Sequence, residues 1–323
     1  MAHLQQLLAR FASGDVPAAS RLMSVVERGG ADAERVLDAV YPRTGRAHRI
    51  AVTGPGGAGK STLINELTRS FRLEKKTVGV VAEDPSSPFS GGAVLGDRVR
   101  MTHASGDAGV FVRSLASRGN LEALSPLASD LADVLDAFGR DVVLLESMGA
   151  SQVETRIRFS ADTVVLVLTP ESGDEIQSLK AGLLEVADVV AVNKADRSGA
   201  ESLAKDIGAI MDLREAKSEW RPPVVMTSVR DAESSMKLLT AALRDHAAHL
   251  DDGQRRASRR RDALRARMQL RVEDAIRGAV WQSSILGRRF DAIFDRVTAG
   301  SVSPWQAARE LAESLRLDAR TSP

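Results

Sequence analysis

The chain has 323 residues, 43% hydrophobic and 27% charged, with a net charge of +1 and no cysteine. That length suffices for one large α/β domain with appended helices, and the absence of cysteine excludes disulfides, zinc–thiolate centres and a cysteine nucleophile. The near-zero charge gives no global pull towards nucleic acid or an anionic membrane. No apolar run approaches the ~20 residues needed to cross a bilayer, and residues 1–6 lack the charged and apolar regions of a signal peptide. A soluble, cytoplasmic protein is the expectation.

Residues 1–45 read as an N-terminal helical extension. Leu4, Leu7, Leu8 and Phe11 share one helical face, as do Leu22, Met23 and Val26. Gly29 and Gly30 interrupt the pattern, and Pro42 ends the next short helix. Over 46–250 strand-like runs alternate with helical ones, the strands falling at 50–53, 77–82, 110–112, 142–146, 163–168, 189–192 and 224–226. Several are unbroken valine and leucine runs, which suit a parallel sheet buried on both faces. Helices between them imply right-handed crossovers, hence an α/β fold with a doubly wound, mainly parallel sheet. Over 251–323 strands stop. Leu264, Met268, Val272, Ile276 and Val280 recur every four residues, Leu286, Phe290, Ile293, Phe294 and Val297 mark a second helix, and Pro304 opens a third.

Chemistry concentrates in the middle segment. Gly54, Pro55, Gly56, Gly57, Ala58, Gly59, Lys60 and Ser61 match G-x-x-x-x-G-K-[ST], between a β-type run and a helix that continues through Thr62. Glycines let backbone N–H groups close around a phosphate, and the helix N-terminus faces the same anion. Lys60 reaches the β- and γ-phosphates, and the Ser61 hydroxyl binds magnesium. The strand over 142–146 ends in Glu146, a carboxylate placed to hold magnesium directly or through water, and Gly149 permits close backbone approach to the γ-phosphate. Asn193, Lys194, Ala195 and Asp196 form N-K-x-D after another strand. The Asp196 carboxylate matches the guanine N1–H and amine as paired donors. Adenine lacks that pair and leaves a buried acceptor unmatched, a basis for discrimination on the order of 10⁴. Asn193 ties this loop to the phosphate loop, and the Lys194 stem covers the base. An amide in the turn at Thr227 and Ser228 is the candidate partner of the guanine carbonyl.

With these motifs placed, the chain resembles the MeaB/ArgK/MMAA family of P-loop GTPases of the SIMIBI type. The resemblance runs through residues 41–50, the stretch Asp84, Pro85, Ser86, Ser87, the segment 91–101, Glu146 to Gln152, and G-D-E-I-Q-S-L-K over 173–180. It implies GTP and GDP as ligands, magnesium near Ser61, Asp84, Asp97 and Glu146, and a partner-contacting switch containing Asp174 and Lys180. It also implies a C-terminal dimerisation arm, hence a homodimer, and an adenosylcobalamin-dependent acyl-CoA mutase as partner. The chain departs from the family pattern at Ala150 and Ser151, at Glu122 and Ala123, and at Glu171 and Ser172 in place of Gly-Ala. These changes bear on switching and partner identity rather than on nucleotide binding.

Phosphoryl transfer to water needs positioning and charge neutralisation more than covalent chemistry. Lys60 supplies charge, and Gln152 is the nearest candidate to orient water. Slow GTP hydrolysis by the isolated chain, stimulated by the partner, is the expectation. Two alternatives compete. A nickel-inserting GTPase needs soft or imidazole ligands, and only His246 and His249 stand close in sequence, on what reads as a solvated helix face. A nucleic-acid-associated GTPase is raised by Arg255, Arg256, Arg259, Arg260, Arg261, Arg265, Arg267 and Arg271. With no aromatic among them to stack on bases, a solvated helix face is the preferred reading there too.

Overall fold

Unbroken valine and leucine segments form the centre of the molecule, seen here in a computed structural model that describes residues 2–84, 106–116, 124–149, 154–172, 182–215, 219–282 and 284–321. The strands are β1 (His48–Thr53), β2 (Val78–Asp84), β3 (Val110–Ala116), β4 (Val142–Glu146), β5 (Thr163–Leu168), β6 (Val189–Val192) and β7 (Val224–Met226). They form one sheet in the order β3-β2-β4-β1-β5-β6-β7, every pairing parallel. Every residue of β4, β5 and β6 is buried, as expected when helices cover both faces. β2 and β3 run further than their apolar runs suggested, to Asp84 and Ala116, because they pair along their whole length.

Alternation along each strand divides the core. Ala51, Val81, Val143 and Leu145 face one cluster with α5 (Pro126–Ala137) and the N-terminal helices α1 (Ala2–Ala12), α2 (Val16–Arg28) and α3 (Ala31–Val40). Ile50, Val52, Val80, Leu144 and Val165 face the other, with α4 (Lys60–Leu73) and α8 (Ala232–Asp251). A third cluster sits under α6 (Leu183–Val186) and α7 (Ala200–Glu215).

The first three helices are integral to the core. Leu7, Phe11, Leu22 and Met23 are buried, and the Phe11 ring lies 5.2 Å from that of Phe138. Asp15 starts α2 by accepting the Ala18 N–H at 2.9 Å, a capping bond that satisfies an otherwise orphaned donor.

Residues 1–263 form one compact unit and 264–323 a second. Helix α9 (Arg255–Gln282) begins in the first. In the second, α10 (Ser284–Thr298) and α11 (Pro304–Thr321) are joined by an Arg296–Glu310 pair at 2.7 Å. Trp281 packs edge-on against Phe290 at 5.1 Å. Leu264, Met268, Val272 and Ile276 are exposed on one helical face. Among the described residues, no helix is long and apolar enough to cross a membrane.

Candidate functional site

The sequence motifs converge at the carboxyl edge of the sheet. The glycine loop leaves β1 at Thr53 and enters α4 at Lys60. Gly54 has φ 143°, and a Cβ there would lie 2.1 Å from the Val167 carbonyl oxygen of β5. Gly59 has φ 89°, and a Cβ there would lie 2.4 Å from the Asn193 side-chain nitrogen. Both positions therefore exclude any side chain.

Asn193 bonds to two neighbouring segments. Its Nδ2 donates to the Ala58 carbonyl at 2.8 Å, and its Oδ1 accepts from the Thr227 hydroxyl at 3.1 Å. One amide thus joins the glycine loop to the ends of β6 and β7. Thr62, Asn193, Ser228 and Met236 line a common cleft beside it.

Parallel pairing sets Val52 of β1 opposite Glu146 of β4, which brings the buried carboxylate to the loop. Ser61 Oγ donates to Glu146 Oε1 at 2.6 Å. Two hard oxygen donors at the start of a helix suit a phosphate-bound divalent cation of the magnesium type. Ala82 of β2 also pairs with Glu146, so the backbone of Asp84 ends at the same edge. Lys60 is buried, and its Nζ donates to the carbonyls of Gly54 at 2.8 Å and Pro55 at 3.0 Å. Gly149 backs onto the loop, where a Cβ on it would lie 3.7 Å from the Gly56 nitrogen. Asp97, Gln152, Asp174 and Lys180 lie outside the described residues.

In the loop after β6, Asp196 accepts from the Ser228 hydroxyl at 2.6 Å and lies 3.2 Å from Arg230 Nε. The Ser228 hydrogen bond, with Arg230 and Arg197 nearby, holds the Asp196 carboxyl below the usual carboxylate range. The Ser228 N–H itself donates to Ser235 Oγ at 2.9 Å, and the Thr227 N–H donates to the Val192 carbonyl at 2.8 Å. In this arrangement both turn amides are engaged within the protein, and the Ser228 hydroxyl faces the Asp196 carboxylate.

Some residues at this edge had no motif to announce them. Ser147, just after Glu146, donates from its N–H to the Val52 carbonyl at 3.1 Å and from its hydroxyl to Thr53 Oγ1 at 2.9 Å. Glu171 pairs with Lys194 and Arg197; its only sequence signal was the replacement of glycine.

The start of the basic run, Arg255 to Arg260, sits at the opposite, amino edge. Arg259 grips Asp188 at 2.9 and 2.6 Å. Arg260 grips Asp162 at 2.7 Å through both Nε and Nη2, and donates to the Ala47 carbonyl at 2.9 Å. Arg255 binds Glu219 and Asp252, and Arg256 binds Asp251. Arg259 and Arg260 fasten the root of α9 to the starts of β6 and β5, and Arg255 and Arg256 tie it to the turns beside it; these four do not form a solvated face. His246 is likewise buried, with Nδ1 2.9 Å from Thr163 Oγ1, which lies 2.8 Å from His48 Nε2. Burial pushes both imidazoles down to about 4.

Comparison with known proteins agrees with this geometry. Residues 19–284 match the family described as methylmalonyl-CoA mutase-associated GTPase MeaB. A Pyrococcus abyssi protein named as a GTPase is 41% identical over 94% of each chain. GTPase ArgK of Escherichia coli is 29% identical over 98% of this chain and 97% of its own. The mouse mitochondrial methylmalonic aciduria type A homolog is 34% identical over 57% of this chain and 46% of its own. A crystal structure described as an LAO/AO transport system kinase shares the fold, with a TM-score of 0.74, 24% identity and 98% coverage of both chains.

Proposed function

The chain belongs to the MeaB family of P-loop GTPases, and from that membership we propose that it is a GTP-hydrolysing chaperone of an adenosylcobalamin-dependent acyl-CoA mutase. The observation that carries the nucleotide chemistry is the convergence at one sheet edge. There Ser61 meets Glu146, and Asn193 joins the glycine loop to the guanine loop.

In this reading the loop amides and Lys60 hold the triphosphate, Lys60 exchanging its two carbonyl partners for phosphate oxygens. Asp196 accepts the paired guanine donors once Ser228 and Arg230 yield. Ser61 and Glu146, with Asp84 and Asp97, hold magnesium, which neutralises phosphate charge as the γ-phosphoryl departs. Gln152 is the water-orienting candidate. Asp174 and Lys180 belong to the switch that contacts the mutase, and GTP acts as a timer whose γ-phosphate orders that switch. The output is gated loading, protection or reactivation of the mutase in the cytoplasm.

A second copy of the chain is the proposed occupant of the exposed apolar face at Leu264, Met268, Val272 and Ile276. The basic run offers no support for a nucleic-acid partner, since four of its arginines are engaged in the fold.

The test is GTP turnover by the purified chain with and without candidate mutases, together with co-elution. Stimulated turnover and a complex are expected; unchanged turnover and no complex with any of them would sink the chaperone reading. Light scattering tests the dimer separately.

A further inference from the structure

The turn that leaves β5, Pro170–Ser172, is stitched to the guanine loop by one side chain. The Glu171 carboxylate lies 3.8 Å from Lys194 Nζ and accepts a hydrogen bond from Arg197. Thr169, at the end of β5, supplies a further side-chain hydrogen bond to it. Chiefly through the Arg197 hydrogen bond, the Glu171 carboxyl is held down to about 2, so this carboxylate is charged throughout the physiological range. Backbone packing supports the same junction: Gly199, with φ 88°, lies where a Cβ would be 3.7 Å from Pro170 Cβ.

Lys194 itself is unusual. Its φ is 55°, the left-handed region that non-glycine residues seldom occupy. Its peptide is pinned on either side, with the Ala195 N–H donating to the Thr227 carbonyl at 3.0 Å and the Arg197 N–H to the Lys194 carbonyl at 2.9 Å. The backbone thus aims the lysine, and its four-carbon stem remains to be ordered. A lysine side chain is rich in rotamers, and ordering it before a ligand arrives lowers the cost of binding.

Resting on the guanine-nucleotide reading, we propose that Glu171 is a positioning residue that anchors the Lys194 ammonium, so that the lysine stem lies over the base and the exit of β5 is coupled to nucleotide release. Glycine at this position has no carboxylate to make the connection. The pairing joins the phosphate side of the site to the base side: β5 carries Val167, whose carbonyl abuts Gly54, and three residues beyond Leu168 comes Glu171. A partner that pulls on the turn would loosen Lys194 and shorten nucleotide residence.

The groups involved are partly exposed, with side-chain exposures of 46% for Glu171, 31% for Lys194 and 53% for Arg197. The effect is accordingly modest, roughly two- to fivefold in rate, the size an exposed ion pair supports. The experiment is release of a fluorescent GDP analogue, followed by stopped flow, for the parent chain, Glu171→Gln, Lys194→Met and the double variant. Lys194→Met keeps the apolar stem and removes the charge. Glu171→Gln is expected to accelerate release about two- to fivefold, with no further acceleration once Lys194 is methionine. Equal rates for parent and Glu171→Gln would overturn the proposal. So would an undiminished Glu171→Gln effect in the Lys194→Met background, which would place the action through Arg197 instead. A parent chain that fails to bind the analogue would overturn the nucleotide reading and this proposal with it. Binding with unaltered release overturns the proposal alone.

Discussion

The two edges of the sheet use the same strands for opposite purposes. At the carboxyl edge β1, β4, β5 and β6 end in turns whose backbones approach each other closely, and the polar side chains there exchange hydrogen bonds that a ligand can take over. At the amino edge the residues that begin or immediately precede β1, β5 and β6 are locked by bidentate arginines and a His246–Thr163–His48 hydrogen-bond chain. One edge is built to be opened by an anion, whereas the other is already neutralised by the protein itself. Charge content therefore does not separate them; the availability of the charged groups to a newcomer does.

This contrast can be broken by substitution. The largest effect should follow Lys60→Ala at the carboxyl edge. GTP turnover, measured as phosphate release, is expected to fall by about 10²–10³, the usual cost of losing a donor to developing transition-state charge. Its thermal stability should change far less. A loss of turnover below about tenfold would put the chemistry elsewhere.

Asp162→Ala at the amino edge should show the reverse pattern. Removing one partner of a buried ion pair costs about 3–5 kcal/mol of stability, measurable by urea unfolding. GDP affinity of the folded fraction should hold. If affinity falls in step with stability, the two edges are not independent.

Asn193→Ala tests the junction between the phosphate and guanine loops. Because it strands the Thr227 hydroxyl and the Ala58 carbonyl, a cost of about 1–3 kcal/mol is expected, appearing both in unfolding and in GDP affinity. An effect on unfolding alone would reduce Asn193 to a packing role.

A further test is one of pH. His48 and His246 are held down to about 4 in the folded protein, against 6.5 for an unperturbed imidazole. Between those values the unfolded chain binds more protons, so stability rises with pH from about 4 to 6.5 and levels off above. Thermal scans across that window should show the slope, and His246→Gln should flatten it. A pH-independent Tm there would mean that the histidines are solvated.

The carboxyl edge was largely legible in the sequence, because each of its motifs is local. Gly54 to Ser61, Glu146, and Asn193 to Asp196 each sit at the end of a strand that reads from its own valines. The amino edge was not, because its pairs join residues far apart in the chain: Arg260 meets Asp162 and Arg259 meets Asp188 only after folding. Arginines spaced along one helix look solvated until their acids are located. The same reason hid His246, whose burial depends on Thr163 in a distant strand, and hid the place of Leu7, Phe11 and Leu22 in the main core. Within the site, the bonds of Ser228 also escaped a local reading, since its amide partner Ser235 lies in the next helix.

Gly54 and Gly56 stand two residues apart in the phosphate loop, yet they answer to different judges. A side chain at Gly54 collides with the Val167 carbonyl, while at Gly56 nothing lies within 4 Å. Folding alone forbids change at the first position, and the second is constrained only by what must bind there. In a saturation library sorted first for folding and then for nucleotide capture, variants at Gly54 should vanish in the first round and those at Gly56 in the second. One short loop can thus be held by two separate demands, one from folding and one from the ligand.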